Sequence, residues 1–317
     1  YKNVSDLLDV LPDQTDDFYE YPLSFSRNQK TTITSIAEDK DGKLWIGTWG
    51  CGIIVIDKYF KKYNHFYFDK NNPTGLKTNR IMDLLFDADG KLWVATFGGG
   101  LSRITISNKN SKNDFSFETL QQGTNEFSLS DNKLLNLFQD SEMNIWIGSY
   151  YGGLIYIPND QTKLAFGKAK IDCQRCPVSA SNLIPNTIMS FAEDKEHYLW
   201  IGTFGGGLIR YDKTKNETLH FFNNPMNQYS LGDNDVLSLC TDRSGIIWAG
   251  SHLGAGITKI YKNTARFNHV KHDPSKKHSL SDDVVWSIYK DKENILWIGT
   301  YKGGLNKYDS VSNSFSS

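Results

Sequence analysis

The stretch DKDGKLWIGTWGCGI, residues 39–53, decides the fold, because five variants of it recur along the chain. Two of them are DADGKLWVATFGGGL at 87–101 and DKEHYLWIGTFGGGL at 194–208. A period of this length is typical of repeat proteins, in which each copy forms one supersecondary unit. One tryptophan marks each copy, at intervals of 48 to 54 residues: Trp45, Trp93, Trp146, Trp200, Trp248 and Trp297.

Each copy predicts four short strands rather than helices. An apolar segment, such as ITSIAED at 33–39, gives the first strand, and its Asp then opens a turn in which the carboxylate accepts N–H groups two residues on. The second strand carries the tryptophan, and a glycine cluster permits a tight reversal into the third strand. Alternating aromatic residues, as at 218–222, form the fourth strand.

Four-stranded sheets of this kind cannot bury both of their faces alone, whereas radial packing buries both. We therefore predict an all-β fold, with residues 1–317 forming a single β-propeller of six four-stranded antiparallel blades, or seven if the N-terminal residues contribute another. The sixth copy stops at NSFSS, where its fourth strand is due. Within the N-terminal segment 1–30, we expect Phe18 to Tyr21 to supply this closing outer strand and so remove an exposed sheet edge.

Composition limits the partners of the chain. Lys and Arg number 35 and Asp and Glu number 36, so no net field attracts nucleic acid or an anionic membrane. No apolar run approaches the roughly 20 residues of a membrane-spanning helix, so we expect membrane attachment only through segments outside this chain. Four cysteines are too few for a disulfide scaffold of this size.

A ring-bearing residue follows the Thr or Ser of each second strand. In a propeller, this hairpin shares one face with the loop that precedes each first strand. The loop residues expected there include Asn79, Asn132, Asn186, Asn234 and Asp283. Flat apolar rings beside fixed donors and acceptors suit sugars. Because a ring recurs at the same position in every copy, we expect these rings mainly to pack between adjacent hairpins. Residues that depart from the repeat pattern, such as His252 with Leu253, Lys302 and Trp49, are the stronger candidates for ligand contact. The candidate ligand-binding residues are Trp49, Phe97, Tyr150, Phe204, His252, Tyr301, Lys302, Arg80, Lys133 and Asp235.

Other residue patterns favour structural roles, and we expect no metal, no cofactor and no catalytic residue. The repeated tryptophans occupy an identical place in every copy, which indicates packing between sheets. Cys173 and Cys176 form one CxxC, which fits a loop disulfide or inert thiols, and Cys51 and Cys240 are expected to be packed. His269 and His272 are three residues apart and would point to opposite faces of a strand, which disfavours a metal site with His278.

The pattern D-x-x-G-x-L-W-I-G-T-x-G-G-G-L, preceded in the chain by SLSDN, resembles the two-component regulator propeller repeat from Thr31 onward. That resemblance implies the periplasmic sensor region of a hybrid two-component regulator, the ectodomain of an inner-membrane protein, which detects oligosaccharides from glycan breakdown. It also implies neighbouring sensor domains and a histidine kinase as partners, and a homodimer is compatible with it. Ectodomains of the family usually carry two seven-bladed propellers and a β-sandwich, whereas six units are counted here.

A propeller enzyme of the streptogramin-lyase-like type is the alternative, because such enzymes are built on related-looking repeats and place a His and acidic groups on one face. Only His252 with Asp235 offers such a pair. We expect ligand recognition rather than catalysis.

Overall fold

The structure, a computed structural model, describes residues 32–57, 63–72, 74–106, 115–166, 187–252, 254–261 and 267–317. The described residues form 23 strands and a single helix of four residues, so the predicted all-β class is confirmed. The chain divides into two compact units, residues 1–119 and 120–317. Among the described residues, no helix has the length and apolar character needed to span a bilayer.

The first unit holds two antiparallel sheets, each with its four strands in chain order. Sheet 1 consists of β1 (Thr32–Glu38), β2 (Leu44–Trp49), β3 (Gly52–Ile56) and β4 (Tyr63–Phe66). Sheet 2 consists of β5 (Ile81–Phe86), β6 (Leu92–Thr96), β7 (Gly100–Ile106) and β8 (Phe115–Leu120), of which the last residue belongs to the second unit.

The second unit holds four sheets of the same meander topology. Sheet 3 has β9 (Leu134–Gln139), β10 (Ile145–Ser149) and β11 (Leu154–Ile157), and sheet 4 has β12 (Ile188–Glu193), β13 (Leu199–Thr203), β14 (Leu208–Asp212) and β15 (Glu217–Phe221). Sheet 5 has β16 (Val236–Thr241), β17 (Ile247–Ser251), β18 (Ile257–Ile260) and β19 (Phe267–Val270), and sheet 6 has β20 (Val285–Lys290), β21 (Leu296–Thr300), β22 (Gly304–Asp309) and β23 (Ser314–Ser316). These sheets are β-propeller blades, as the repeat predicts.

The Asp before each second strand fixes the turn and the tryptophan together. In sheet 1, Asp39 Oδ1 accepts the backbone N–H groups of Asp41 and Lys43, both at 2.9 Å. Its Oδ2 accepts the indole N–H of Trp45 at 3.0 Å. The predicted turn is thus confirmed. The same indole-to-carboxylate bond, at 2.7 to 2.8 Å, recurs in the other five sheets, for Trp93–Asp87, Trp146–Asp140, Trp200–Asp194, Trp248–Asp242 and Trp297–Asp291.

Within each unit, the tryptophan face of one sheet packs against the first strand of the next. Trp45 of sheet 1 lies in one cluster with Ile81 and Leu84 of sheet 2. Trp248 of sheet 5 lies in one cluster with Val285 of sheet 6. The predicted role of these tryptophans in packing between sheets is confirmed in both units.

A cation lies over the tryptophan in several sheets. Arg103 and Lys259 on the third strand pair across the sheet with Trp93 and Trp248. Their charged groups lie 5.3 and 4.4 Å from the respective ring centroids. Lys259 Nζ also donates to the Tyr308 hydroxyl of sheet 6 at 3.0 Å, so this cation joins sheets 5 and 6.

A buried ion cluster joins sheets 3 and 4. Lys213 Nζ lies 3.0 Å from Asp140 Oδ2 and 2.8 Å from Glu193 Oε1, and the side chain of Asp140 is fully buried. Burial acts to raise the pKa of Asp140, but hydrogen bonds from Asn144, Trp146 and Lys213 outweigh it and hold the pKa below its ordinary value. Asp140 is therefore a charged group stabilised by its donors.

Two features differ from the regular pattern. Sheet 3 has three strands among the described residues, and its third strand is followed by α1 (Asn159–Thr162). The fourth-strand position of sheet 6, where the sequence predicts Phe18 to Tyr21, is taken by Ser314–Ser316. Residues 1–31 lie outside the described residues, so the closing role of the segment 1–30 stays a prediction.

Candidate functional site

In sheets 2 to 6, the hairpin after the second strand is tied to the loop that precedes the first strand of the same sheet. The backbone N–H of Phe97 donates to the carbonyl of Arg80 at 2.9 Å, and that of Tyr150 donates to Lys133 at 2.8 Å. The same bond joins Phe204 to Thr187, His252 to Asp235 and Tyr301 to Val284, at 3.0 to 3.2 Å. The rings and the loops thus lie at one end of each of these five sheets, as predicted.

In the second unit, three of these rings and Trp286 of β20 form a continuous row across sheets 4, 5 and 6. The ring centroids of Phe204 and His252 are 5.8 Å apart, and those of His252 and Trp286 are 6.1 Å apart. Trp286 and Tyr301 follow at 6.4 Å. Phe204, Trp286 and Tyr301 are 43%, 50% and 63% exposed, so the row presents a large apolar surface to solvent.

Charged groups lie along this row. His252 Nδ1 is 3.4 Å from Asp235 Oδ2, and this carboxylate belongs to a residue that is only 8% exposed. Lys302 Nζ lies 5.8 Å from the ring centroid of Tyr301. Its backbone N–H donates to Asp282 Oδ2 at 3.1 Å, which fixes the hairpin that carries both residues. A fixed carboxylate and an exposed ammonium group therefore flank the rings.

In sheet 3, Tyr150 contacts the adjacent Tyr151, with ring centroids 4.3 Å apart. Lys133 Nζ lies 5.9 and 5.8 Å from these two rings. The side-chain hydrogen bond with Tyr150 raises the pKa of Tyr151 above its ordinary value. Lys133 and Tyr150 are therefore neighbours, as the sequence predicts.

In the first unit, the rings of Trp49 and Phe97 are 5.3 Å apart, and the guanidinium of Arg80 lies 5.4 Å from the Trp49 ring centroid. Trp49 is 42% exposed. These three candidate residues therefore form one aromatic and cationic group.

The loop amides and carboxylates have a structural role that the sequence did not indicate. The side-chain oxygen of each accepts a backbone N–H from the second residue after the end of a fourth strand. These bonds are Asn79 with Phe68, Asn132 with Gln122, Asn234 with Asn223 and Asp283 with His272, at 2.5 to 2.8 Å. The side chains beside the rings belong instead to the next residue along the chain, as with Arg80, Lys133 and Asp235. Asn186 and Leu253 lie outside the described residues.

Two exposed rings were missed by sequence reasoning. Trp286 is the second residue of β20, where the other sheets have Thr34, Met82, Leu135, Met189 and Leu237. The pairing register shifts at this residue, between Val285 and Ser287. A tryptophan at such a bulge was the available signal. Tyr151 is 64% exposed and replaces a glycine of the regular cluster.

The remaining histidines and cysteines that the sequence analysis named lie in the following surroundings. No group of three or more His, Cys, Asp or Glu residues there has metal-binding geometry. His269 Nδ1 lies 3.2 Å from Thr258 Oγ1, and His272 Nδ1 lies 2.6 Å from the Leu280 carbonyl. Cys51 and Cys240 are half-buried, and burial raises the pKa of the Cys240 thiol to about 11. Cys173 and Cys176 lie outside the described residues.

Comparisons with known proteins agree with the repeat. The model of the two component regulator propeller family matches residues 29–50, 75–98, 182–205, 230–252 and 279–302. Histidine kinase P4 of Formosa agariphila is 29% identical over 154 residues, which cover 48% of this chain and 10% of the kinase.

Solved structures share the fold. The extracellular domain of a protein assigned as a hybrid two component system of B. thetaiotaomicron is 25% identical with a TM-score of 0.66, over 90% of this chain and 34% of that chain. Virginiamycin B lyase of Staphylococcus aureus is 16% identical with a TM-score of 0.62, over 91% of this chain and 84% of the lyase, which is a likeness of fold. This chain spans a tenth of the kinase and about a third of the extracellular domain. Five of its six repeat copies match the family model, and the chain belongs to the two component regulator propeller family.

Proposed function

We propose that this propeller is the periplasmic sensor region of a hybrid two-component regulator and binds a glycan-derived oligosaccharide on the row Phe204–His252–Trp286–Tyr301. The observation that carries the proposal is the row itself, with centroid spacings of 5.8 to 6.4 Å. A neighbouring protein domain whose surface offers chemistry similar to that of a sugar chain is the other ligand compatible with this row.

The chemistry of the row suits a sugar chain. Sugars offer apolar C–H faces, which stack on exposed rings, and hydroxyl groups, which need fixed hydrogen-bond partners. Phe204, Trp286 and Tyr301 supply the rings. The Asp235 carboxylate is a fixed acceptor, and the ammonium group of Lys302 is a donor that carries three protons.

The proposed partners follow from the relatives. One relative is a histidine kinase, and another is the extracellular domain of a hybrid two component system. We expect the ligand signal to reach a kinase through altered contacts with neighbouring sensor domains or between two copies of the protein. Attachment to the inner membrane would lie in other segments of the full-length protein.

Isothermal titration against a panel of oligosaccharides tests the proposal. For a panel member that binds, we expect Trp286→Ala and Tyr301→Ala each to weaken affinity roughly tenfold. Loss of one stacking contact between a nucleic-acid base and an aromatic side chain costs about 1–3 kcal/mol, and we expect a loss of similar size here. Phe222→Ala is the matched control, since this ring is 44% exposed but follows the outer strand of sheet 4. Absence of heat with every sugar, or equal losses in the control, would contradict the proposal.

A lyase is the second candidate, and the pair His252–Asp235 at 3.4 Å is the observation that favours it. A His oriented by a carboxylate is the arrangement of a general base. Incubation with quinupristin, the compound bound to the inactive lyase variant, followed by mass spectrometry, tests this role. Turnover that disappears in His252→Ala would establish a lyase, and unchanged antibiotic would exclude this substrate.

A further inference from the structure

The loop that precedes the first strand of sheet 2 differs in charge from the equivalent loops of the second unit. Before sheets 3, 5 and 6, an Asp carboxylate accepts the backbone N–H of the residue two positions on, at 2.8 to 3.2 Å. These acids are Asp131, Asp233 and Asp282. In sheet 2, the hydroxyl of Thr78 accepts the N–H of Arg80 at 3.3 Å instead. The turn is therefore kept while its negative charge is replaced by a neutral group.

The position of Arg80 has a constant main-chain role and a variable side chain. Its carbonyl accepts the N–H of Phe97 at 2.9 Å, and the matching bond forms at the equivalent residue before sheets 3 to 6. The side chains at those equivalent positions are basic, neutral or acidic, namely Lys133, Thr187, Asp235 and Val284. Because the frame uses only the main chain here, it does not require the arginine side chain.

The side chain of Arg80 is exposed and lies over an aromatic ring. Its guanidinium carbon is 5.4 Å from the ring centroid of Trp49, which is a cation–π distance. Trp49 is itself exposed, and the ring of Phe97 adjoins it at 5.3 Å. Arg103 is buried and paired with Glu118, whereas Arg80 has no carboxylate partner in the part of the chain that the structure describes. Its donors therefore face solvent beside an accessible ring.

The surroundings of Arg80 are cationic. Residues 70–82 contain no Asp or Glu and three basic residues, which are Lys70, Lys77 and Arg80. The two hairpins at this end of the first unit, residues 48–52 and 96–100, contain no charged residue. Asp83, the nearest acid along the chain, accepts a hydroxyl group of sheet 1 at 2.7 Å. An approaching anion is therefore attracted to this end of the first unit.

We propose that Arg80, Trp49 and Phe97 form a binding subsite for an acidic sugar, which is a pyranose ring that carries a carboxylate or a sulfate. A guanidinium group offers a planar fork of N–H donors that binds two oxygens of an oxyanion at once. The exposed indole of Trp49 offers a surface for the C–H face of the sugar ring.

This subsite differs from the row of the second unit in the charge that it selects. Beside the row, the Asp235 carboxylate lies 3.4 Å from His252 and disfavours an anionic ligand, whereas Arg80 favours one. The inference rests on the proposed function only in taking a sugar as the ligand. The two sites can be tested separately, because each depends on different residues.

Titration calorimetry with three trisaccharides tests the proposal. They are trigalacturonate, its trimethyl ester, which keeps the rings but has no charge, and a sulfated galactose trisaccharide. We expect at least one of the two anionic sugars to bind roughly tenfold more tightly than the ester, because a charge-assisted bidentate contact is stronger than a neutral one. The anionic sugar that binds more tightly identifies which group the subsite selects.

Arg80→Gln should remove the advantage of the anionic sugar over the ester. Lys70→Gln is the matched control, since Lys70 is an exposed cation of the same loop, and its removal should change affinity less than about twofold. Arg80→Lys should restore only part of the advantage, because an ammonium group keeps the charge but lacks the planar fork. The thermal midpoint of Arg80→Gln should equal that of the wild type, since the bond from Phe97 uses the carbonyl.

Four results would overturn the proposal. They are absence of heat with both anionic sugars, equal affinity for the acid and the ester, equal losses in Arg80→Gln and Lys70→Gln, and an anion preference that Trp286→Ala abolishes but Arg80→Gln does not. The last result would place the acidic sugar on the row and leave the proposed function standing. Binding of an acidic sugar through Arg80, with no sugar bound by the row, would support this inference and contradict the proposed function.

Discussion

Lys213→Met should destabilise the second unit by about 3 kcal/mol, at the lower end of the 3–5 kcal/mol typical when one partner of a buried ion pair is removed. Methionine keeps most of the side-chain volume, so the change removes mainly the charge. It leaves Asp140, fully buried, and Glu193, whose side chain is 11% exposed, without the ammonium group that joins them. Asp140 retains its hydrogen bonds from Trp146 and Asn144, which is why we expect the lower value.

Chemical denaturation at pH 7 measures the loss, and Lys215→Met is the matched control. Lys215 is 67% exposed and lies 3.9 Å from Asp212 Oδ2, so its removal should cost less than about 1 kcal/mol. Glu193→Gln combined with Lys213→Met should be less destabilising than the sum of the two changes, because it removes one of the uncompensated charges. Equal losses for Lys213→Met and Lys215→Met would refute the reasoning.

The difference in stability between the wild type and Lys213→Met should depend on pH. The folded pKa of Asp140 lies below its ordinary value of 3.8, so its contribution to stability is present above that value and is lost as the pH falls through the folded pKa. The difference between the wild type and Lys213→Met should therefore be full near pH 7 and shrink below about pH 4. A difference that stays constant down to pH 2 would contradict a charged Asp140.

Three further changes test the fold. Asp87→Asn should cost about 1–3 kcal/mol in denaturation experiments, because it weakens the buried bond from the indole of Trp93, and a neutral result would contradict a structural role. Burial lowers the pKa of Lys259 from its ordinary value of 10.5 to about 8, so the stability of the protein should rise between pH 8 and 10.5. This rise should disappear in Lys259→Met. Gly207→Ala should lower the thermal midpoint far more than Gly254→Ala, since both have φ near +75° but only at Gly207 would a Cβ lie 2.3 Å from the Phe221 carbonyl oxygen.

The repeat made most of the fold predictable because each copy supplies independent evidence for the same four strands. The tryptophan, the Asp before it and the glycines after it recur six times, and the indole-to-carboxylate bond forms in every copy. The exception is sheet 3, where the segment after Ile157 begins a short helix instead of a fourth strand among the described residues.

The candidate site was only partly predictable, because side chains at successive positions of these loops have different surroundings. Asp235 and Asp283 both lie in loops before a first strand, but Asp283 corresponds to Asn234, one position before Asp235. The structure places the first beside His252, whereas the second accepts the backbone N–H of His272. Trp286 lies at a bulge, and sequence periodicity does not show which way such a residue points. The exposure of Leu305 depends on what packs against its sheet, which its own sequence cannot reveal.

The loops before the first strands of sheets 2, 5 and 6 each join two successive sheets through main-chain carbonyls, in addition to their side-chain bonds. The carbonyl of Asn79 accepts from Gly52 of sheet 1, and the carbonyl of the next residue, Arg80, accepts from Phe97 of sheet 2. Because these bonds do not depend on side-chain identity at position 80, substitution there should leave the frame in place. The surface chemistry at this end of the sheets can therefore vary while the scaffold stays the same.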